Sequence, residues 1–228
     1  MKIKPGNPVH VSLEFAPDHI VSVGRLALDR GVAVLEYDQQ FVASRLTINP
    51  LFQLPGAQLV RPKDTRTFGG LHGVLADSLP DAWGEALMRR RAAASGIDYT
   101  TITVLDKLAA VGHRGMGALT YQPAIPASDD DAIDLDVLAR EAFQVLEGHD
   151  SDVIPQLERL GGSSGGARPK VLVAMNDAGT VVSGIDRIPD GFDPWIVKFR
   201  SSRDLTDIGP LEAAYAAMAR AAGFRRYE

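Results

Sequence analysis

Apolar and polar positions change their period along this chain. Over residues 9–15 ("VHVSLEF") they alternate one by one, the pattern of a half-buried strand. Residues 20–28 and Val32–Tyr37 continue in the same way on either side of Asp29-Arg30-Gly31, a spacing that predicts a hairpin. A short strand is expected at 44–48. Pro50, Pro55 and Pro62, with several glycines, then leave residues 49–70 mostly as loop. After Leu79 the period becomes helical. Ala82, Ala86, Leu87 and Arg90 recur at helical spacing, arginines close the run and Gly96 follows, which suits the helix dipole and a C-terminal cap. A second helix is expected at 101–110.

The segment "PAIPASDDDAID" combines two prolines with four aspartates, so residues 124–134 are expected to be a linker between a first unit, 1–123, and a second, 135–228. In the second unit the spacing predicts helices at Leu135–Leu146 and 153–160. Strands follow at 171–175, Val181–Ser183 and 194–200. Pro210 near its first turn, repeated alanine and Gly223 beyond its end mark a final helix. The fold class expected is α+β.

Composition narrows the function without choosing it. A chain of 228 residues with 45% apolar side chains buries a sizeable core. Its net charge, 24 minus 29 or -5, gives no global basic footprint for nucleic acid. The absence of cysteine removes disulfides, thiolate zinc sites and a cysteine nucleophile, and suits a reducing compartment. The N-terminus has no apolar run of a secretory signal, and no window approaches the ~18 apolar residues of a membrane span. A soluble cytoplasmic protein is expected.

The residues with the most specific chemistry lie in "LERLGGSSGGARPKVLVAM", where glycines and serines separate a helix from a strand. The Walker A pattern fails because Pro169 precedes Lys170 and Val171 follows it; the dinucleotide pattern G-x-G-x-x-G also fails. What remains is an order of elements: glycine loop, strand, turn, strand, a third strand carrying Lys198, then a helix with Glu212 in its first turn. That is the order of a protein-kinase amino-terminal lobe. Glycines admit phosphate oxygens to backbone amides, Lys198 meets their charge, and Glu212 holds the lysine extended. The competing reading is a hinge with a surface lysine. His72, Asp77, Asp81 and Glu85 lack metal-ligand spacing, and acids at a helix start already suit the dipole. His113 and His149 read as surface histidines, Arg89 to Arg91 as a solvated helix end, and Trp83 and Trp195 as core or domain contacts.

Two further stretches, "FGGLHGVLADSLPDAWGEALMRRR" and "LAAVGHRGMGALTYQP", resemble the N-terminal subdomain of HipA-like serine/threonine kinases, the toxins of bacterial toxin–antitoxin pairs. Ser163 to Lys170 is similar to that family's S-x-x-G-x-x-x-K loop. The resemblance implies a β-rich first subdomain followed by a kinase-like lobe of antiparallel sheet plus helix. It implies Ser163 as an autophosphorylation site and an ATP site of Ser164, Gly165, Gly166, Ala167, Lys170, Lys198 and Glu212. It also implies ATP and Mg as cofactors of the complete enzyme, a protein serine or threonine as substrate, and a HipB-like antitoxin or complementary kinase lobe as partner. DNA contact would then be indirect, through the antitoxin, and a homodimer is possible. The family's catalytic and metal-binding aspartates lie in a helical lobe with no counterpart before Glu228. The chain alone is therefore expected to be inactive, and the alternative is a non-catalytic binding module.

Overall fold

The computed structural model describes residues 7–16, 18–49, 51, 54–124, 133–149, 156–157, 160–161, 166, 168–184, 188–201 and 203–224. Two antiparallel sheets organise them. The first has the order β3-β2-β1-β4, from β1 (Val9–Ala16), β2 (His19–Asp29), β3 (Val32–Tyr37) and β4 (Leu119–Gln122). Alternation along β1 buries Val9 and Val11 while His10 stays exposed. Arg30 and Gly31, both at positive φ, form the two-residue turn between β2 and β3, as the right-handed twist of a tight hairpin requires. Neither the four-residue β4 nor the one-turn helix α2 (Gly73–Ala76) shows a readable period in the sequence.

One expected element does not form. The strand expected at 44–48 is absent: Ser44 is the last residue of helix α1 (Gln39–Ser44), the chain leaves that helix through Arg45 at φ 62°, and residues 45–48 are turn and irregular backbone. The Asp38 carboxylate accepts from Gln40 N at 3.0 Å, and Phe41 is fully buried with its ring parallel to Tyr37. A cap plus one buried aromatic is enough to set this short helix at 39–44.

Helix α3 (Ala82–Ala94) follows, then a 3₁₀ turn (Tyr99–Thr101) and α4 (Val104–Val111). The second expected helix thus starts later than the sequence suggested, because Thr103 and Asp106 close a capping box there. Leu105, Leu108 and Ala109 of α4 join Val11, Val23, Leu26 and Leu35 in the first core.

The second sheet has the order β6-β5-β7, from β5 (Lys170–Met175), β6 (Val181–Ser183) and β7 (Asp193–Lys198). Helix α5 (Leu135–Leu146) matches its sequence expectation. Of the helix expected at 153–160, Gln156, Leu157 and Leu160 are described and helical; most of the expected linker lies outside the described residues. Leu138, Ala142 and Val145 of α5 form a second core with Val171 and Val173 of β5. Trp83 and Leu87 of α3 complete it. Helix α3, which lies between β3 and β4 of the first sheet in sequence, therefore packs against the second sheet. Helix α6 (Ile208–Ala221) is the last described helix; it buries no residue, and all of it beyond Ile208 is exposed. Among the described residues, no helix is long and apolar enough to cross a membrane.

His72 is the buried imidazole of the first unit, hydrogen-bonded to the backbone at Val60 and Ala33. Burial pushes its pKa below the ordinary 6.5, against the smaller upward effect of those bonds. The folded state thus keeps His72 neutral where the unfolded chain takes up a proton. This contribution to stability is present above the unfolded pKa and is lost as pH falls below it.

Two measurements check this architecture. Leu87→Ala is expected to cost about 2–5 kcal/mol in urea unfolding, and a loss below about 1 kcal/mol would contradict α3 as part of the second core. The urea midpoint should fall between about pH 7 and about pH 5. His72→Gln should remove part of that fall; an identical pH slope in both proteins would contradict the role of the buried imidazole.

Candidate functional site

Strands β5 and β7 pair antiparallel with Lys170 directly opposite Lys198, and Val171 opposite Val197. The ladder continues one step further, with Phe199 N donating to Pro169 O at 2.8 Å. Val171, Val173 and Val197 belong to the second core, so the pleat assigns Lys170 and Lys198 to the opposite set. Like charges directly opposite on two strands repel. This pair is tolerated because the two lysines have different surroundings.

Lys170 is 2% exposed. Its Nζ donates to Asp81 Oδ2 at 2.5 Å and, more distantly, to the Gly166 carbonyl at 3.5 Å. Asp81 is also the N-cap of α3, its Oδ1 accepting from Gly84 N at 2.8 Å. Gly166 adopts φ 100°, a conformation that favours glycine. Lys198, by contrast, is exposed. It lines a cleft of about 800 Å³ together with Arg140, Phe143, Arg200 and the first turn of α6. The Arg200 guanidinium lies 5.8 Å from the Phe143 ring, within range of a cation–π contact. Glu141 also borders this cleft, and the α6 N-cap residue Asp207 makes no capping bond. An anion entering there meets cations and the start of a helix, both favourable for negative charge.

Arg168 joins the glycine-rich segment to the last helix. Its Nη2 donates to Asp204 Oδ1 at 2.8 Å and its Nη1 to Glu212 Oε1 at 2.6 Å. Asp204 also accepts from Ser201 N at 2.8 Å and Ser201 Oγ at 2.9 Å. The Ser201 bonds, aided by Arg168, hold the Asp204 carboxyl below its ordinary pKa.

These positions divide the residues expected at a nucleotide site. Ser163, Ser164, Gly165 and Ala167 lie outside the described residues. Gly166 and Lys170 come together, but the Lys170 ammonium is already neutralised by Asp81. Lys198 faces the cleft. Glu212 is engaged by Arg168, not by Lys198; the planar, forked guanidinium points separate N–H groups at the two carboxylates. Sequence reading missed Arg168 and Asp81 as partners, because bonds across 44 and 89 residues leave no local signal.

The acids near the start of α3 have structural partners too. Burial pushes the Glu85 carboxyl up, but hydrogen bonds from Lys107 and Tyr99 and the charges of Lys107 and Arg89 outweigh it and hold its pKa down. No group of three or more His, Asp or Glu among the described residues is placed to hold a metal ion.

The curated proteins and the solved structures yield no match to this chain. A family model described as the HipA N-terminal domain matches residues 19–122. That stretch runs from β2 to β4 and includes α3 with its Asp81 cap. The amino-terminal portion of this chain is therefore HipA-like.

Proposed function

We propose that the chain is the N-terminal part of a HipA-like serine/threonine protein kinase, which in complete form transfers the γ-phosphate of ATP to a protein. One observation carries this reading. Downstream of a HipA N-terminal domain, a glycine run leads into a small antiparallel sheet whose third strand presents an exposed lysine at a cationic cleft. A nucleotide's phosphates need that combination of bare backbone and positive charge.

The residues present fit a nucleotide in part. Lys198, with Arg140 and Arg200 beside it, supplies charge for phosphate oxygens. Phe143 offers an aromatic face, and Glu212 reaches the site only through Arg168. Bound ATP would supply the phosphoryl group, with Mg neutralising its charge in the complete enzyme. Among the described residues no group of three or more acids or histidines is gathered to hold the Mg. The sequence after Lys198 contains no asparagine, so the Asp-then-Asn pattern of a kinase catalytic loop is absent from it. The chain alone binds nucleotide weakly and transfers no phosphate.

A second reading, a non-catalytic module that docks on an antitoxin or a complementary kinase lobe, is favoured by α6. Tyr215 and Met218 are 64% and 65% exposed, and Leu211, Trp195 and Ile196 are also open to solvent. A helix this apolar is ordinarily covered. The two readings are compatible, because a docked lobe would complete the site.

Titration with Mg-ATP followed by NMR should show binding in the millimolar range, about −4 kcal/mol, weakened roughly tenfold by Lys198→Ala. Pure chain incubated with labelled ATP should show no transfer. Absence of binding, or equal binding by the variant, would contradict the nucleotide site; turnover abolished by Lys198→Ala would contradict the inactivity of the chain alone.

A further inference from the structure

Lys170 is the one lysine or arginine among the described residues that is fully withdrawn from water. A buried ammonium needs a partner, and its Nζ has two acceptors, Asp81 Oδ2 at 2.5 Å and Gly166 O at 3.5 Å. The Asp81 carboxylate, 8% exposed, has no slack of its own: one oxygen takes Lys170 and the other caps α3. Across the strand pair stands Lys198, in direct register with Lys170. Without Asp81 two ammonium groups would face each other across one rung, one of them buried and unpaired. With Asp81, Lys170 is neutralised and, of the two lysines, Lys198 is the one exposed at the cleft.

We propose that Asp81 is a positioning residue for the phosphate end of the nucleotide site. It holds Lys170 against α3 and, through Lys170, the Gly166 carbonyl, so that Lys198 alone of the two paired lysines meets an anionic ligand. A residue of the HipA N-terminal domain thereby sets the arrangement of a segment that lies 85 positions away, at Gly166, outside the matched region. Lys170 is a structural cation in this arrangement and not a phosphate ligand. The proposal rests on the nucleotide reading for its ligand, and on the ion-pair geometry alone for the latch.

The experiment uses the full chain with Asp81→Asn, Lys170→Met and the double variant. Asparagine keeps an oxygen for the Gly84 amide and removes the charge; methionine keeps most of the apolar stem of lysine. Inorganic tripolyphosphate and Mg-ATP are titrated onto each by NMR. Asp81→Asn is expected to weaken both about tenfold, and each single variant to speed exchange of the Gly166 amide. In thermal unfolding each single variant should lower the midpoint, and the double variant should recover much of the loss, because removing both members of a buried ion pair leaves no uncompensated charge.

Tighter tripolyphosphate binding by Asp81→Asn would make Lys170 the phosphate ligand and overturn the proposal. Unchanged affinity would also overturn it. If the unsubstituted chain binds neither probe, the nucleotide reading fails, and the latch is judged by the unfolding midpoints: recovery in the double variant supports it, additive losses overturn it. Should Asp81→Asn not fold, the double variant carries the test. Weakened binding by a folded double variant supports the proposal, and binding as tight as that of the unsubstituted chain overturns it.

Discussion

Asp81 divides its carboxylate between the first turn of α3 and the buried ammonium of Lys170. Giving up the first bond leaves a helix start uncapped. Giving up the second leaves a charge in the interior, a cost of several kcal/mol in effective terms. The position of β5 relative to α3 is therefore tied to one side chain. The apolar contacts agree with it, since Trp83 and Leu87 of the same helix pack against Val171 and Val173 of the same strand. Hydrophobic burial supplies most of the attraction between these elements, but it is not directional. The ion pair, with its short bond and its single geometry, fixes which residue meets which.

From that constraint the distribution of charge around the second sheet follows. Lys170 is neutralised inside, Arg168 is shared between Asp204 and Glu212, and Lys198 is left at the cleft with Arg140 and Arg200. A chain with net negative charge thus presents a locally positive recess. The helix beyond it, α6, is held to the rest by the Arg168 fork and shows its apolar side chains to solvent. The first turn of this helix lines the cleft, so the two proposed readings, nucleotide binding and docking, concern neighbouring parts of one surface.

The sequence was informative where a period ran long enough or a cap was local. The β2–β3 hairpin, α3 and α5 are of that kind: alternation or helical spacing, bounded by Asp29-Arg30-Gly31, by Asp81, or by Asp134. It was uninformative where the deciding contact was distant or the segment short. Nothing around Ser44 reveals that Phe41 fills the first core, so helix α1 was not expected and a strand was expected at 44–48, where none forms. β4 depends on pairing with β1 across the length of the first unit. At the candidate site, the order of elements pointed to Lys198 and Glu212 and the family resemblance to Lys170, and the structure describes all three. Their roles were not legible, because a lysine in a glycine-rich motif reads the same whether it faces phosphate or a buried carboxylate. Only the fold brings Asp81 to it.

In the proposed site, Lys198 and not Lys170 meets the phosphates. A crystal structure of the chain with a non-hydrolysable Mg-ATP analogue measures this directly. A phosphate oxygen within hydrogen-bond distance of Lys198 Nζ, with Lys170 still bonded to Asp81, is the predicted result. Lys170 bonded to phosphate with Asp81 released, or an analogue bound away from Lys198, would contradict it.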